Sequence, residues 1–295
     1  LSALAMQLHV QENPKVQNSF GSFPISIKAG MGFGDIRWQI FKSKDGAHAT
    51  FWFRGEGISG AVLAEEFARP GQVVASLVAY ELMREFVVVQ EVGPCFQVLT
   101  SNIDLPEAHP VTSPQVDPAL LSIFLPETVV NFPMVGEFRQ VVNVFVDIPI
   151  NITDEALITP FMETVYALQA RYGGFFLRPD LGDKGFNLLL FWGAPVAHEN
   201  DVTRALNFLL ELSEHTHLDL RAGISYYVGY AGFMGSFLRE DYTSYGWGVN
   251  LAARLMENAS AGSFWMDEEI TRRAEKNFKI EYLDEFKFKG FAQKQ

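Results

Sequence analysis

The strongest constraint on the fold is a duplication inside the chain. Placing Gly55 on Gly246, a shift of 191 residues, lays GEGISGAVLAEEFARPGQVV on GWGVNLAARLMENASAGSFW without a gap. Upstream, IKAG at Ile27–Gly30 answers LRAG at Leu220–Gly223 at a shift of 193. Self-similarity over such a length means one supersecondary unit used twice. Each copy reads as strand, hairpin, strand, turn, helix, strand. With 295 residues and 48% apolar side chains there is material for two cores. We therefore expect residues 1–101 to be the C-terminal part of a first domain. Residues 137–295 should be a second, nearly complete one. Between them, 102–136 holds six prolines and little periodicity, which reads as a linker with a short helix at Pro118–Phe124.

The second copy can be followed element by element. VVNVFVDI (Val141–Ile148) is a continuous apolar run and reads as a buried strand. Leu157, Phe161, Val165 and Leu168 recur at helical spacing, so Thr153–Tyr172 is predicted to be a helix. Thr153 is its expected N-cap and Gly173-Gly174 its end. A hairpin should turn around LGDKG, between Phe175–Leu177 and Phe186–Phe191. A second helix at His198–Leu212 follows, then strands at Leu218–Val228 and Phe237–Tyr245. A helix opens at Val249 and runs to Asn258. Ser263–Met266, a short helix to Ala274 and Ile280–Phe288 complete the order. This is βαββαβ with extra strands: an α+β, ferredoxin-like domain with an antiparallel sheet and helices on one face. The first copy opens inside a helix, LSALAMQLHV, and lacks counterparts of the VVNVFVDI strand and the LGDKG hairpin. We expect further residues before Leu1 and a final strand beyond Gln295.

Charge and cysteine use narrow the function classes. The formal net charge is −12, which argues against a nucleic-acid surface or an anionic membrane face but leaves room for a nucleotide in a local cationic pocket. One cysteine, Cys95, excludes an internal disulfide framework and suits a cytoplasmic setting; with no base beside it in sequence, the thiol reads as packing. No run of 18 apolar residues and no signal-peptide pattern occur in the sequence, so no membrane span is expected.

Four residues stand out for chemistry. Asp147 closes the apolar strand and Asp183 sits at the hairpin tip, so a βαββ order puts the two carboxylates on adjacent strands. Hard oxygen donors of this kind bind Mg²⁺ or Mn²⁺ together with substrate phosphates. Asn250 and Arg254, four residues apart, share one side of their helix and pair an amide with a fixed cation, which suits a polyanion whose charge shifts during reaction. Each has an ordinary alternative: a solvated turn for the aspartates, and an ion pair with Glu257 for Arg254. His215 and His217 have no third partner in sequence and read as a loop pair rather than a metal site. Gly30, Gly32 and Gly34 mimic a phosphate loop but more simply ease a strand bend.

Taken in order, FVD (Phe145–Asp147), GD (Gly182-Asp183), FWGAPVAHENDVTRAL (Phe191–Leu206) and EDYTSYGWGVNLAARL (Glu240–Leu255) closely resemble the class III nucleotide cyclases. The tandem layout is most similar to the soluble, bicarbonate-responsive adenylyl cyclase branch. The resemblance implies that Asn250 and Arg254 hold the ribose and the phosphates in the transition state. It implies two Mg²⁺ or Mn²⁺ ions on Asp147, Asp183 and the backbone at Ile148, and that Lys289 meets the triphosphate. Thr243, seven residues before Asn250, stands where that branch sets a threonine against adenine, which favours ATP over GTP. The chain departs from the pattern at Trp247, where a charged or polar residue is common, and at Pro179, where the base-reading lysine would fall. In the first copy Ser59 and Leu63 replace the Asn and Arg, and no arginine stands near Val62–Leu63 to hold bicarbonate. Class III sites form between two domains, so the implied partner is a second cyclase domain in the same chain or a homodimer partner. The implied activity is conversion of ATP to 3′,5′-cyclic AMP and pyrophosphate. The alternative is a cyclase-like pseudoenzyme that senses a nucleotide or regulates attached domains.

Overall fold

The computed structural model describes residues 1–18, 21–104, 115–131, 136–151, 154–182, 185–236, 239–291 and 294. The chain divides into two compact units, one of residues 1–39 with 53–115 and the other of 40–52 with 116–295. In chain order the elements begin with α1 (Ser2–Glu12), β1 (Lys15–Asn18), β2 (Gly21–Pro24), β3 (Ala29–Met31), β4 (Arg37–Lys42), β5 (Ala49–Arg54) and α2 (Glu56–Phe67). Then come β6 (Val73–Ala75), α3 (Leu77–Met83), β7 (Val87–Val92), β8 (Cys95–Ser101), α4 (Pro118–Phe124) and α5 (Glu127–Val130). The rest are β9 (Glu137–Asp147), α6 (Glu155–Tyr172), β10 (Pro179–Gly182), β11 (Gly185–Trp192), α7 (Asp201–Thr216), β12 (Arg221–Ser236), β13 (Arg239–Tyr245), α8 (Trp247–Asn258), β14 (Phe264–Met266) and α9 (Glu268–Ala274).

The first unit is built on a four-stranded sheet in the order β3-β6-β8-β7, with β3 and β6 parallel. Helix α2 lies so close to β3 that a Cβ on Gly30 would strike the carbonyl of Ala61 and the amide of Glu65. Gly32 likewise abuts Gly57 and Ala61. These glycines therefore admit a helix backbone rather than bend a strand. Cys95 is buried against Ala64, Ala68 and Val74.

The second unit carries a six-stranded sheet, β10-β11-β9-β12-β13, with β14 parallel to β12. Strand β9 is central because its sequence is apolar on both faces. Val142, Val144 and Val146 point to one face and pack with Ile158, Val165 and Leu168 of α6, Phe208 and Leu209 of α7, and Ile270 of α9. Each such side chain stabilises the fold by about 1.5–3 kcal/mol on full burial. Residues 40–52 belong to this unit: Phe41 and Trp52 lie in the same core, with the Trp52 ring 4.9 Å from that of Phe186. Thr50 Oγ1 donates to the carbonyl of Leu177 at 2.6 Å.

The opposite face of the sheet is covered too, which differs from the expected one-sided layering. Gly223 of β12, paired with Phe145, meets the carbonyl of Ala252 and the amide of Met256, so α8 lies directly on the strand. Helices thus sit on both faces, because Gly223 removes the side chain that would hold α8 away. Two further expectations shift. Asp154 rather than Thr153 caps α6, accepting from the amide of Ala156 at 3.0 Å; Thr153 itself lies outside the described residues. Residues 280–288 form no ladder: Phe286 and Phe288, with Phe291, pack on Leu251, Leu255 and Trp265 instead.

Candidate active site

Asp147 ends β9 between two partners, opposite Asn187 on β11 and opposite Arg221 on β12. Side chains directly opposite in a sheet stand side by side on one face. Here the guanidinium of Arg221 reaches one carboxylate oxygen, Asp147 Oδ2, with Nε at 2.8 Å and Nη2 at 2.6 Å. The Asp147 side chain is 14% exposed and that of Arg221 35%. On the other side, a Cβ on Gly185 would stand 3.4 Å from Asp147 Oδ1, so the space beside that oxygen is left open by a glycine at φ 85°. The carbonyl of Ile148 accepts the amide of Ile150 at 2.8 Å, and its side chain is buried. Asp183 lies outside the described residues. Among the described residues no three His, Cys, Asp or Glu side chains come together as a metal site.

Helix α8 positions the amide and the cation. It starts after Gly246, whose φ of 147° belongs to the region that favours glycine. Leu251, Ala252, Leu255 and Met256 are buried and fix which way the helix faces. Asn250 is left exposed and Arg254 half-buried on the outward side. Arg254 Nη1 donates to Glu257 Oε2 at 2.6 Å, the ordinary ion pair on its own helix. Asn250 and Arg254 therefore face away from the sheet that carries Asp147.

The remaining candidates fall around these two groups. The Trp247 ring packs edge-on against Tyr227 at 4.4 Å and Phe291 at 4.9 Å, and remains 41% exposed. Thr243 Oγ1 donates to the carbonyl of Ser244 at 3.3 Å; strand alternation turns it to the opposite side from Ser244. Lys289 is exposed next to buried Phe288. His215 Nδ1 contacts the carbonyl of Glu211, and His217 takes the left-handed conformation that ends α7. In the first unit, Ser59 and Leu63 are both exposed on α2.

Beneath the start of α8 lies a buried polar network that sequence reading passed over. Ser225 Oγ donates to the carbonyl of Gly248 at 2.7 Å, and Ser244 Oγ donates to Asn143 Oδ1 at 2.9 Å. Asn143, Ser225 and Ser244 are all essentially inaccessible to solvent. The visible signal was a single Asn in the apolar run VVNVFVDI, which a buried strand tolerates only when its amide is bonded. Arg221, the polar residue of LRAG, is tied to Asp147 only by strand register, which nothing local in the sequence shows.

The chain resembles solved structures of adenylyl and guanylyl cyclase catalytic domains. It is similar to the adenylyl cyclase CyaB from P. aeruginosa, at 20% identity and a TM-score of 0.49, over 54% of this chain and 92% of that one. The guanylyl cyclase Cya2 aligns at 18% identity and 0.47, over 55% and 91%. The guanylate cyclase domain of RhGC from Catenaria anguillulae, solved in complex with GTP, aligns at 22% and 0.46, over 53% and 92%. No family model matches the chain, and no curated protein matches it. No described helix is long and apolar enough to cross a membrane.

Proposed function

We propose that this chain is the core of a nucleotide cyclase, converting ATP to 3′,5′-cyclic AMP and pyrophosphate. The observation that carries the reading is the outward face of α8. The fold uses Leu251, Ala252, Leu255 and Met256 to seat the helix and leaves Asn250 and Arg254, one turn apart, turned toward whatever covers that face. Asn250 and Arg254 take no part in the core beneath the helix; Arg254 pairs there with Glu257 of the same helix. In this reading Asn250 orients the ribose. Arg254 leaves Glu257 and stabilises charge on the α-phosphate as the 3′-oxygen, its proton released to water, bonds to phosphorus and the bond to the leaving pyrophosphate oxygen breaks. The donors fit a hard cation: Asp147 is a carboxylate with one oxygen beside an open glycine, and the carbonyl of Ile148 retains a second lone pair. Asp183 is the proposed third donor. Bound there, Mg²⁺ or Mn²⁺ supplies a lower 3′-hydroxyl pKa and screens the leaving pyrophosphate. Thr243, Trp247 and Lys289 are proposed nucleotide contacts, and the soluble adenylyl cyclase layout favours ATP.

Because Asn250 and Arg254 face away from Asp147 in their own unit, we take the site to be completed by a second domain of the same kind. The test pairs two variants that are each inactive, Asp147→Ala and Asn250→Ala, and assays cyclic AMP with Mn²⁺·ATP. If two copies share their sites, an equal mixture regains about a quarter of the wild-type rate. No recovery, with both variants folded, contradicts sharing between copies.

The second reading is a module that binds a nucleotide without turning it over. The two ion pairs favour it: Asp147 is engaged by Arg221 and Arg254 by Glu257. Tight ATP binding with no cyclic AMP at any Mn²⁺ concentration would select this reading.

A further inference from the structure

We propose that Arg221 is the resident counter-cation of Asp147, and that a divalent ion must displace it to bind. The inference rests on the functional reading above and deepens its metal site. It starts from register. Arg221 and Asp147 are direct partners across β12 and β9, so the guanidinium is placed beside the carboxylate by the sheet itself, not by a flexible loop. Two of its nitrogens converge on a single oxygen, Oδ2, at 2.8 and 2.6 Å. That is the position and charge a bound cation would take on that oxygen. The carboxylate is mostly buried, so without a cation beside it the charge would be costly. Arg221 removes that cost while the ion is away.

The partner on the other side does not compete for the role. Asn187 is neutral and its Nδ2 donates to the carbonyl of Gly185 at 3.1 Å. Oδ1 lies 3.4 Å from where a Cβ on Gly185 would stand, and the glycine carries none. An ion arriving at the carboxylate meets a guanidinium on Oδ2. Arg221 is a third exposed along its side chain, so it can swing out toward solvent without unpacking the core. The consequence is a weakened intrinsic affinity for the ion.

The experiment is Mn²⁺ binding to the full chain, without nucleotide, read by the loss of the free-ion electron paramagnetic resonance signal and by calorimetry. Arg221→Gln should bind Mn²⁺ about tenfold tighter than wild type, because the competing charge is gone. The double variant Arg221→Gln with Asp147→Asn should lose that gain, which subtracts weak binding elsewhere on an acidic chain. If Arg221→Gln fails to fold by circular dichroism, Arg221→Lys decides. A lysine keeps the charge but not the fork on one oxygen, and should still bind the ion more tightly than wild type. No gain in the folded variant overturns the clamp. A gain that survives in the double variant overturns it as well. Either result leaves the shared-site reading to its own test, the recovery of cyclic AMP formation on mixing.

Discussion

At the scale of single residues, the second unit separates groups that hold the fold from groups that the fold leaves spare. Asp267 belongs to the first kind. It caps α9, accepting from the amide of Ile270 at 2.8 Å with one oxygen and from the amide of Tyr226 at 2.9 Å with the other. Burial pushes its carboxyl up to about 6 against those two hydrogen bonds, which pull it down. The folded chain thus binds its proton more readily than the unfolded one. The stability this group adds is fully present below about 3.8 and is lost as pH rises through about 6. We expect wild type to gain about 1–2 kcal/mol from this residue between pH 7.5 and pH 4.5. Asp267→Asn should lose that share of the slope. Equal melting shifts for the two proteins over this range would contradict the assignment. Arg254 is of the second kind: its pair with Glu257 is partly exposed and worth well under about 1 kcal/mol.

At the scale of elements, the decisive feature is how a helix backbone reaches a strand. The same geometry occurs in both units: Gly30 against Ala61 and Glu65, and Gly223 against Ala252 and Met256. Both helices follow a glycine at positive φ, Gly55 at 124° and Gly246 at 147°. Gly223→Ala should therefore cost roughly 2–4 kcal/mol, since the added methyl meets main-chain atoms that cannot rotate aside. A melting temperature within error of wild type would show that α8 can lift off without penalty. The sequence aligned the IKAG and LRAG glycines as part of the repeat but did not show that each one admits a helix backbone. It also located β9, α6 and α8, where apolar periodicity is uninterrupted. What it missed depends on partners distant in sequence. The layering of α8 on the second sheet face requires knowing what Gly223 touches. The ladder-free path of 280–288 is set by Phe286 and Phe288 packing on α8, although their alternation reads as a strand.

At the scale of the whole molecule, the candidate site was legible as residue types and not as geometry. FVD and VNLAARL offered a carboxylate, an amide and a guanidinium as candidates, since their spacing within one element is a local property. Their present partners, Arg221 for Asp147 and Glu257 for Arg254, differ in visibility. Glu257 lies three residues along the same helix and was anticipated. Arg221 is 74 residues from Asp147, and only strand register brings them together. The buried Asn143, Ser225 and Ser244 under the start of α8 were hidden for the same reason. Together these groups describe a unit that seats a helix firmly and turns a paired amide and cation outward from it. The claim that this pair performs chemistry is tested most directly by Arg254→Ala, assayed for cyclic AMP and pyrophosphate with Mn²⁺·ATP beside its melting curve. The account predicts that wild type turns ATP over, and that the variant loses about a hundredfold or more in rate while its melting temperature stays within a few degrees. Wild-type turnover in the variant, or no cyclic AMP from the wild-type chain, would contradict it.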